Sequence, residues 1–158
     1  MDNRLDEIDR GILHMLQLEA RETTAQEIAD TVGVSPSTVR NRIGQLEADG
    51  IIRGYHPEID YEAANFPLQV LFICSAPPTE RTELAEEVMD VHGVVDLREL
   101  MTGKRNIHVD VVGTSTRDVT RITNAIHALG LQIDSSELLQ QRRRQPFDHF
   151  QFATDGEM

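Results

Sequence analysis

Residues 35–43, Ser-Pro-Ser-Thr-Val-Arg-Asn-Arg-Ile, gather the side chains that hydrogen-bond the base edges and phosphates of double-stranded DNA. Ser37 and Thr38 offer short hydroxyls, Asn41 and Gln45 offer amides, and Arg40 and Arg42 offer guanidinium forks. The spacing predicts one helix carrying all of them. Ser35 is a favourable N-cap, and Pro36 takes the first helical position, where its missing N–H costs nothing. Val39, Ile43 and Leu46 then recur as one apolar stripe, which leaves Ser37, Thr38, Arg40, Asn41, Arg42 and Gln45 on the opposite side. Ser37, Thr38, Asn41 and Gln45 are candidate base readers. Arg40 and Arg42 are shared between bases and phosphates, and Ser35 belongs to the same DNA-binding set. An ordinary amphipathic surface helix has this pattern too, so the elements that position the segment decide its meaning.

Two helices lead into it. Leu5, Ile8, Ile12, Leu13 and Leu16 make a periodic face over residues 4–20. Thr24 and Glu27 fit a capping box, with Ile28, Ala29 and Val32 as the next stripe. Gly33-Val34-Ser35 then turns directly into the polar-faced helix, which Asp49-Gly50 ends. A short helix, a glycine-bearing turn and a polar-faced helix describe a helix-turn-helix. Ile51 and Ile52 fold back onto its core.

These residues resemble the Lrp/AsnC family of transcription regulators. The resemblance is carried by Leu-Asp-Glu-Ile-Asp-Arg-Gly-Ile-Leu (5–13), by Glu-Ile-Ala-Asp-Thr-Val-Gly-Val-Ser-Pro-Ser-Thr-Val (27–39), by Arg42-Ile43 with Leu46-Glu47, and by Gly50-Ile51-Ile52-Arg53-Gly54-Tyr55. It implies a winged-type helix-turn-helix domain over residues 1–55.

Composition bounds the remainder. The 158 residues suffice for two small domains. No apolar run is long enough to span a membrane and no signal-peptide pattern opens the chain, so a soluble cytoplasmic protein is expected. The single Cys74 lies in an apolar run and reads as a buried thiol. Six scattered His residues show no ligand spacing, and no metal or other cofactor is expected. No nucleophile elbow, phosphate loop or catalytic carboxylate pair stands out, so no catalytic residue is assigned.

The charge is unusual for a DNA binder. Net charge is −12, and the first 60 residues hold six basic and twelve acidic side chains. Fourteen of the fifteen basic residues are Arg, with Lys104 the exception. Dispersed acid with Lys nearly absent suggests a halophilic host, where self-repulsion is screened within a few Å. Phosphate neutralisation contributes little at such salt, so binding would lean on base-edge contacts and dimer formation. Arg21 and Arg53 flank the motif as phosphate candidates or as solvated surface.

Residues 56–67, punctuated by His56-Pro57 and Phe66-Pro67, read as a linker in which Ile59 offers a short strand. From residue 68 the period changes. Strands are expected at 68–75, 94–101, 106–112 and 131–141, with one helix opened by Pro77-Pro78-Thr79 and another capped by Ser115. The order βαββαβ is a ferredoxin-like unit over residues 68–142. The expected fold class is therefore α+β, the helix-turn-helix domain preceding the ferredoxin-like one. The first strand is apolar on both faces, Leu71 and Ile73 opposing Val70 and Phe72. A second copy covering the helix-free face accounts for this and makes a homodimer, which suits a palindromic site.

The resemblance implies that this second domain binds a small effector, usually an amino acid, and assembles into higher homo-oligomers. The family's Thr-Gly-x-x-Asp loop stands here as Thr102-Gly103-Lys104-Arg105-Asn106. Asn106 replaces the acid expected to pair with an ammonium group. Asp134 and Ser136 on the last strand join Thr102, Gly103 and Asn106 as candidate effector contacts. Lys104 and Arg105 either favour an anionic ligand or form a solvated loop tip. Arg142-Arg143-Arg144 is the one basic run. Within the tail, 143–158, Phe147, Phe150 and Phe152 suggest a packed segment sealing a subunit contact, with Thr154–Met158 frayed. The expected function is a sequence-specific, effector-controlled transcription regulator. Siroheme decarboxylases resemble the same two domains and supply an enzyme alternative. A nonspecific DNA-compacting protein fits poorly with the net negative charge.

Overall fold

In the computed structural model, which describes residues 4–152, the first helix α1 (Glu7–Leu18) begins at a carboxylate pair. Asp6 accepts the backbone N–H of Asp9 at 2.8 Å, and Asp9 accepts that of Asp6 at 3.3 Å. Helix α2 (Ala25–Val32) is capped the same way by Thr24 and Glu27, at 3.2 and 2.8 Å. Each box satisfies two donors that a helix start leaves unpaired. Gly33, at φ 77°, takes the left-handed conformation that lets the chain turn at once into α3 (Pro36–Ala48). Ser35 Oγ caps α3 by accepting the Thr38 N–H at 3.1 Å.

Ile12, Leu13, Ile28, Ala29, Val32, Val39 and Leu46 are the buried core of this unit. The N–H groups of Ile51 and Ile52 both donate to the Leu46 carbonyl, at 3.0 and 3.1 Å, which folds the segment after α3 back onto that core. Residues 51–60 carry no strand, neither after α3 nor at Ile59; 61–65 form a turn. Ile59 is half exposed with no apolar cluster to dock on, so nothing recruits it into a strand.

The tail does not stand apart. Residues 4–57 cluster with 143–152, and residues 58–142 form the second unit. Phe150 and Phe152 pack on the helix-turn-helix core, the Phe147 N–H donates to Gln17 Oε1 at 3.3 Å, and Phe147 meets Phe150 edge to face at 5.0 Å. A Cβ on Gly11 would lie 2.9 Å from the Phe152 ring and 2.7 Å from Val32. Gly11 is thus the seat for Phe152. The aromatic segment closes its own chain's small core, where a subunit contact was expected, because three short helices leave apolar surface uncovered. Thr154–Met158 lie outside the described residues.

The second unit runs β1 (Leu68–Ser75), α4 (Arg81–Met89), β2 (Val94–Glu99), β3 (Ile107–Gly113), α5 (Thr116–Ala128) and β4 (Gln132–Leu138). Its sheet has the order β2-β3-β1-β4 with every pair antiparallel. Helix α4 starts later than Pro77-Pro78-Thr79 suggests. The Glu80 N–H donates to the Pro77 carbonyl at 2.9 Å, so the prolines shape a turn ahead of the helix. Val70, Phe72 and Cys74 of β1 and Ile107, Val109 and Val111 of β3 pack against Ala85, Val88, Ile122 and Ile126, so both helices lie on one sheet face. Leu71 and Ile73 alternate to the other face beside His108, Asp110 and Val112. No helix among the described residues is long and apolar enough to cross a membrane.

Replacing Phe152 by Ala removes the ring from its seat against Gly11. The variant is expected to lose about 2 kcal/mol in denaturant unfolding, below the value for a fully enclosed Phe because Phe152 is only partly buried. Amide exchange should quicken in α1–α3 and stay unchanged in the sheet of residues 58–142.

Candidate functional site

Helix α3 divides cleanly by its period. Val39 and Leu46 are buried, whereas Ser37, Arg40, Asn41, Gly44 and Gln45 are exposed and lie along one face. Thr38 and Arg42 sit half-buried at its margins. The seven expected DNA-binding residues therefore take different positions. Ser35 Oγ, besides capping, lies 3.0 Å from Ser37 Oγ and 2.8 Å from Thr38 Oγ1, so three hydroxyls share one network at the helix start. Gln45 Nε2 donates to Asp49 Oδ1 at 2.8 Å. Arg40 and Asn41 alone of the seven have no side-chain hydrogen bond or ion pair among the described residues.

Arg42 departs from the expectation. Its Nη1 donates to Asp6 Oδ2 at 2.6 Å and to Asp9 Oδ1 at 3.1 Å. The guanidinium is committed to the cap of α1, because position 42 falls beside Val39 and Ile43 and not among the outward residues. Burial pulls the Asp6 carboxyl upward, but the Asp9 N–H and the Arg42 charge outweigh it and hold the group below its ordinary value. The Arg42 guanidinium is raised in turn, chiefly by its hydrogen bond to Asp6. Arg21 and Arg53 are exposed.

The candidate effector residues are not brought together within one chain. Thr102 and Gly103 lie exposed in the β2–β3 loop at one sheet edge, with Gly103 at φ 90°. Asp134 and Ser136 lie on β4 at the opposite edge, with β1 between β4 and the strand that leaves the loop. Asp134 accepts hydrogen bonds from Ser75 Oγ and, at 2.8 Å, from Gln132 Nε2. Sequence reasoning missed what holds the loop. Arg81 Nη1 donates to the Leu100 carbonyl at 2.8 Å, and Thr82 Oγ1 donates to Glu99 at 3.0 Å.

Asn106, expected among the effector contacts, is turned inward. It is 2 % exposed; its Oδ1 accepts the Ala76 N–H at 2.9 Å and its Nδ2 donates to the Ala76 carbonyl at 2.8 Å. A side-chain amide carries a donor and an acceptor side by side, so it pairs with both backbone groups of Ala76 at once. The residue latches β3 to the end of β1, and both its amide groups are engaged there. Cys74 is fully buried, and burial, aided by the Asp134 charge, pushes its thiol up to about 12. It stays protonated at neutral pH and is no nucleophile. On the helix-free face, Arg98 lies 3.8 Å from Asp110 and Arg142 lies 3.7 Å from Asp96, so the first Arg of the basic run serves an internal pair. Burial raises the Asp110 carboxyl above its ordinary value while Arg98 draws it back.

A capped, polar-faced helix following a tight turn, on a domain separate from a ferredoxin-like sheet, defines a helix-turn-helix DNA-binding transcription regulator. Residues 5–53 match the winged helix-turn-helix DNA-binding family model. The chain is 32% identical over 136 residues to the HTH-type transcriptional regulator AldR of Mycobacterium tuberculosis, covering 71% of this chain and 75% of that one. The AldR crystal structure superimposes with a TM-score of 0.74 over 90% of this chain and 99% of its own, at 26% identity. Escherichia coli AsnC shares the fold at a TM-score of 0.68 and 23% identity, over 91% of this chain and 98% of its own. So does a Neisseria meningitidis transcriptional regulator, solved as an L-Met complex, at 0.72 and 24% over 90% and 94%. The chain belongs to the Lrp/AsnC family of transcriptional regulators. That its relatives are named as regulators does not favour the tetrapyrrole-enzyme alternative.

Two outcomes test this geometry. Asn106→Ala strands a buried N–H and C=O at Ala76, and should cost about 2–3 kcal/mol in denaturant unfolding. Arg42→Ala should lower stability by under about 1 kcal/mol, because the pair is substantially exposed. A carboxyl held below its ordinary value contributes stability above the unfolded pKa and loses it as pH falls through the folded one. The difference between parent and Arg42→Ala should therefore be full at neutral pH and vanish on acid titration below about pH 3.8.

Proposed function

We propose that Arg40 and Asn41, flanked by Ser37 and Gln45, read base edges in the major groove of promoter DNA, and that the second domain sets the response to a small ligand. The observation that carries this reading is the pair itself: a guanidinium and an amide, adjacent, exposed and without side-chain partners among the described residues, on a helix fixed at both cap and core. Arg forks match guanine and Asn amides match adenine in that groove. Ser35 and Thr38 contribute through the hydroxyl network, and Arg42 acts by holding α3 to α1.

Leu71 and Ile73, half-buried on the helix-free sheet face, support a homodimer in which a second copy covers that face. Two reading helices then address a palindromic site at half-sites about one DNA turn apart. The separation of Thr102 and Gly103 from Asp134 and Ser136 supports an effector site completed between chains in the assembled oligomer. An amino-acid effector accords with the L-Met complex of the Neisseria protein. The chain acts without catalysing a reaction, in the cytoplasm. The acidity of the DNA-binding domain suits a halophilic host, in which charge repulsion from phosphates is screened.

Genome-wide footprinting in the native cells, repeated with the Arg40→Ala/Asn41→Ala double variant, tests the assignment. Sharp promoter peaks sharing one palindromic site should appear for the parent and disappear for the variant. Peaks that persist in the variant would remove α3 as the reading element.

A further inference from the structure

Two glycines lie in helix interiors among the described residues, Gly11 in α1 and Gly44 in α3. Glycine there is a standing loss, since it is the poorest helix former after proline. Gly11 has an internal reason, because a Cβ would strike Val32 and Phe152. Gly44 has none: a Cβ built on it meets nothing within 4 Å, its backbone is ordinary right-handed helix, and the residue is exposed. A Cβ meets no obstacle among the described residues at this position, and Ala would strengthen the helix. Nothing among the described residues calls for a bare position here.

Position 44 lies one turn after Arg40 and beside Asn41 and Gln45, within the face that addresses DNA. We propose that Gly44 is the point at which α3 seats against the duplex, kept bare so that a sugar–phosphate strand or groove wall approaches the helix backbone. The proposal rests on the DNA-reading assignment of α3 and adds what that assignment lacks, the depth of docking. With Gly44 bare, the Arg40 and Asn41 side chains reach the groove floor. A methyl at position 44 lifts the helix away from both.

The test uses the full chain and the duplex most enriched by the parent protein from a randomised DNA pool, with an unenriched duplex of equal length for comparison. Gly44→Ala and Gly44→Met are measured alongside Arg40→Ala/Asn41→Ala. Gly44→Ala should melt on the order of 4 °C higher, since the helix gains a better former. It should bind the selected duplex about tenfold or more weakly, as expected for a methyl forced into a close-packed contact. Gly44→Met should bind more weakly still. A protein more stable yet weaker on DNA has lost fit, not fold. If Gly44→Ala binds as tightly as the parent while the Arg40/Asn41 variant fails, the close-approach role falls and the reading face stands. If the double variant also binds unchanged, or no duplex is enriched, the assignment of α3 falls and this proposal with it. Equal losses for Ala and Met would point to lost helix flexibility, and a lowered melting temperature to an internal role for the glycine; either overturns the proposal.

Discussion

The burial of Val39 and Leu46, two turns apart on α3, is the constraint on which the outward face depends. Each residue of a helix is turned about 100° from the last, so fixing two positions on the core fixes the direction of all the others. Ser37, Asn41 and Gln45 then fall on one row and Arg40 beside them, while Arg42 is swung to the flank. There it meets two carboxylates that already cap α1. A helix start, a helix flank and a cation thus share one small polar cluster, which resists rotation of the reading helix about its own axis. The apolar contacts set the direction of the face, and the Arg42 cluster braces it.

The ferredoxin-like unit rests on a different kind of bond. The Asn106 amide closes on both polar groups of Ala76, tying the entrance of β3 to the exit of β1 where the β2–β3 loop begins. The loop is thereby anchored at its base and exposed at its tip. Arg81 and Thr82, from the first turn of α4, hold its other side. Such a loop keeps its position while its tip remains available, the arrangement a ligand or a neighbouring subunit requires. The four-stranded order places the remaining polar candidates at the far edge, so one chain offers two half-equipped edges.

Much of this was legible from residue order. Thr24 with Glu27, and Ser35 with Pro36, announced two helix starts, and the alternation of Ile107, Val109 and Val111 announced a strand. These signals are local, and local hydrogen bonding decides them. The Asp6–Asp9 box was harder to see because two aspartates in an acidic chain resemble ordinary surface charge. The Arg42 pairing was hidden for a geometric reason: position 42 sits between the buried and exposed arcs, and only its distant partners Asp6 and Asp9 reveal which side it takes. Asn106 carried no hint of its latch, since the partner is a backbone unit 30 residues earlier. Gly11 and Phe152 were equally silent, being separated by nearly the whole chain.

That last pairing makes the DNA-binding unit discontinuous. The polypeptide leaves it near Pro57 and returns near Arg143, with an independent sheet built between. During synthesis the three helices emerge first, but their aromatic cover emerges only after the sheet has been made. A nascent or truncated chain therefore exposes the bare seat at Gly11 and the apolar surface around it. Closure of the small helical core thus waits on residues far along the chain, and losing their rings opens that core locally.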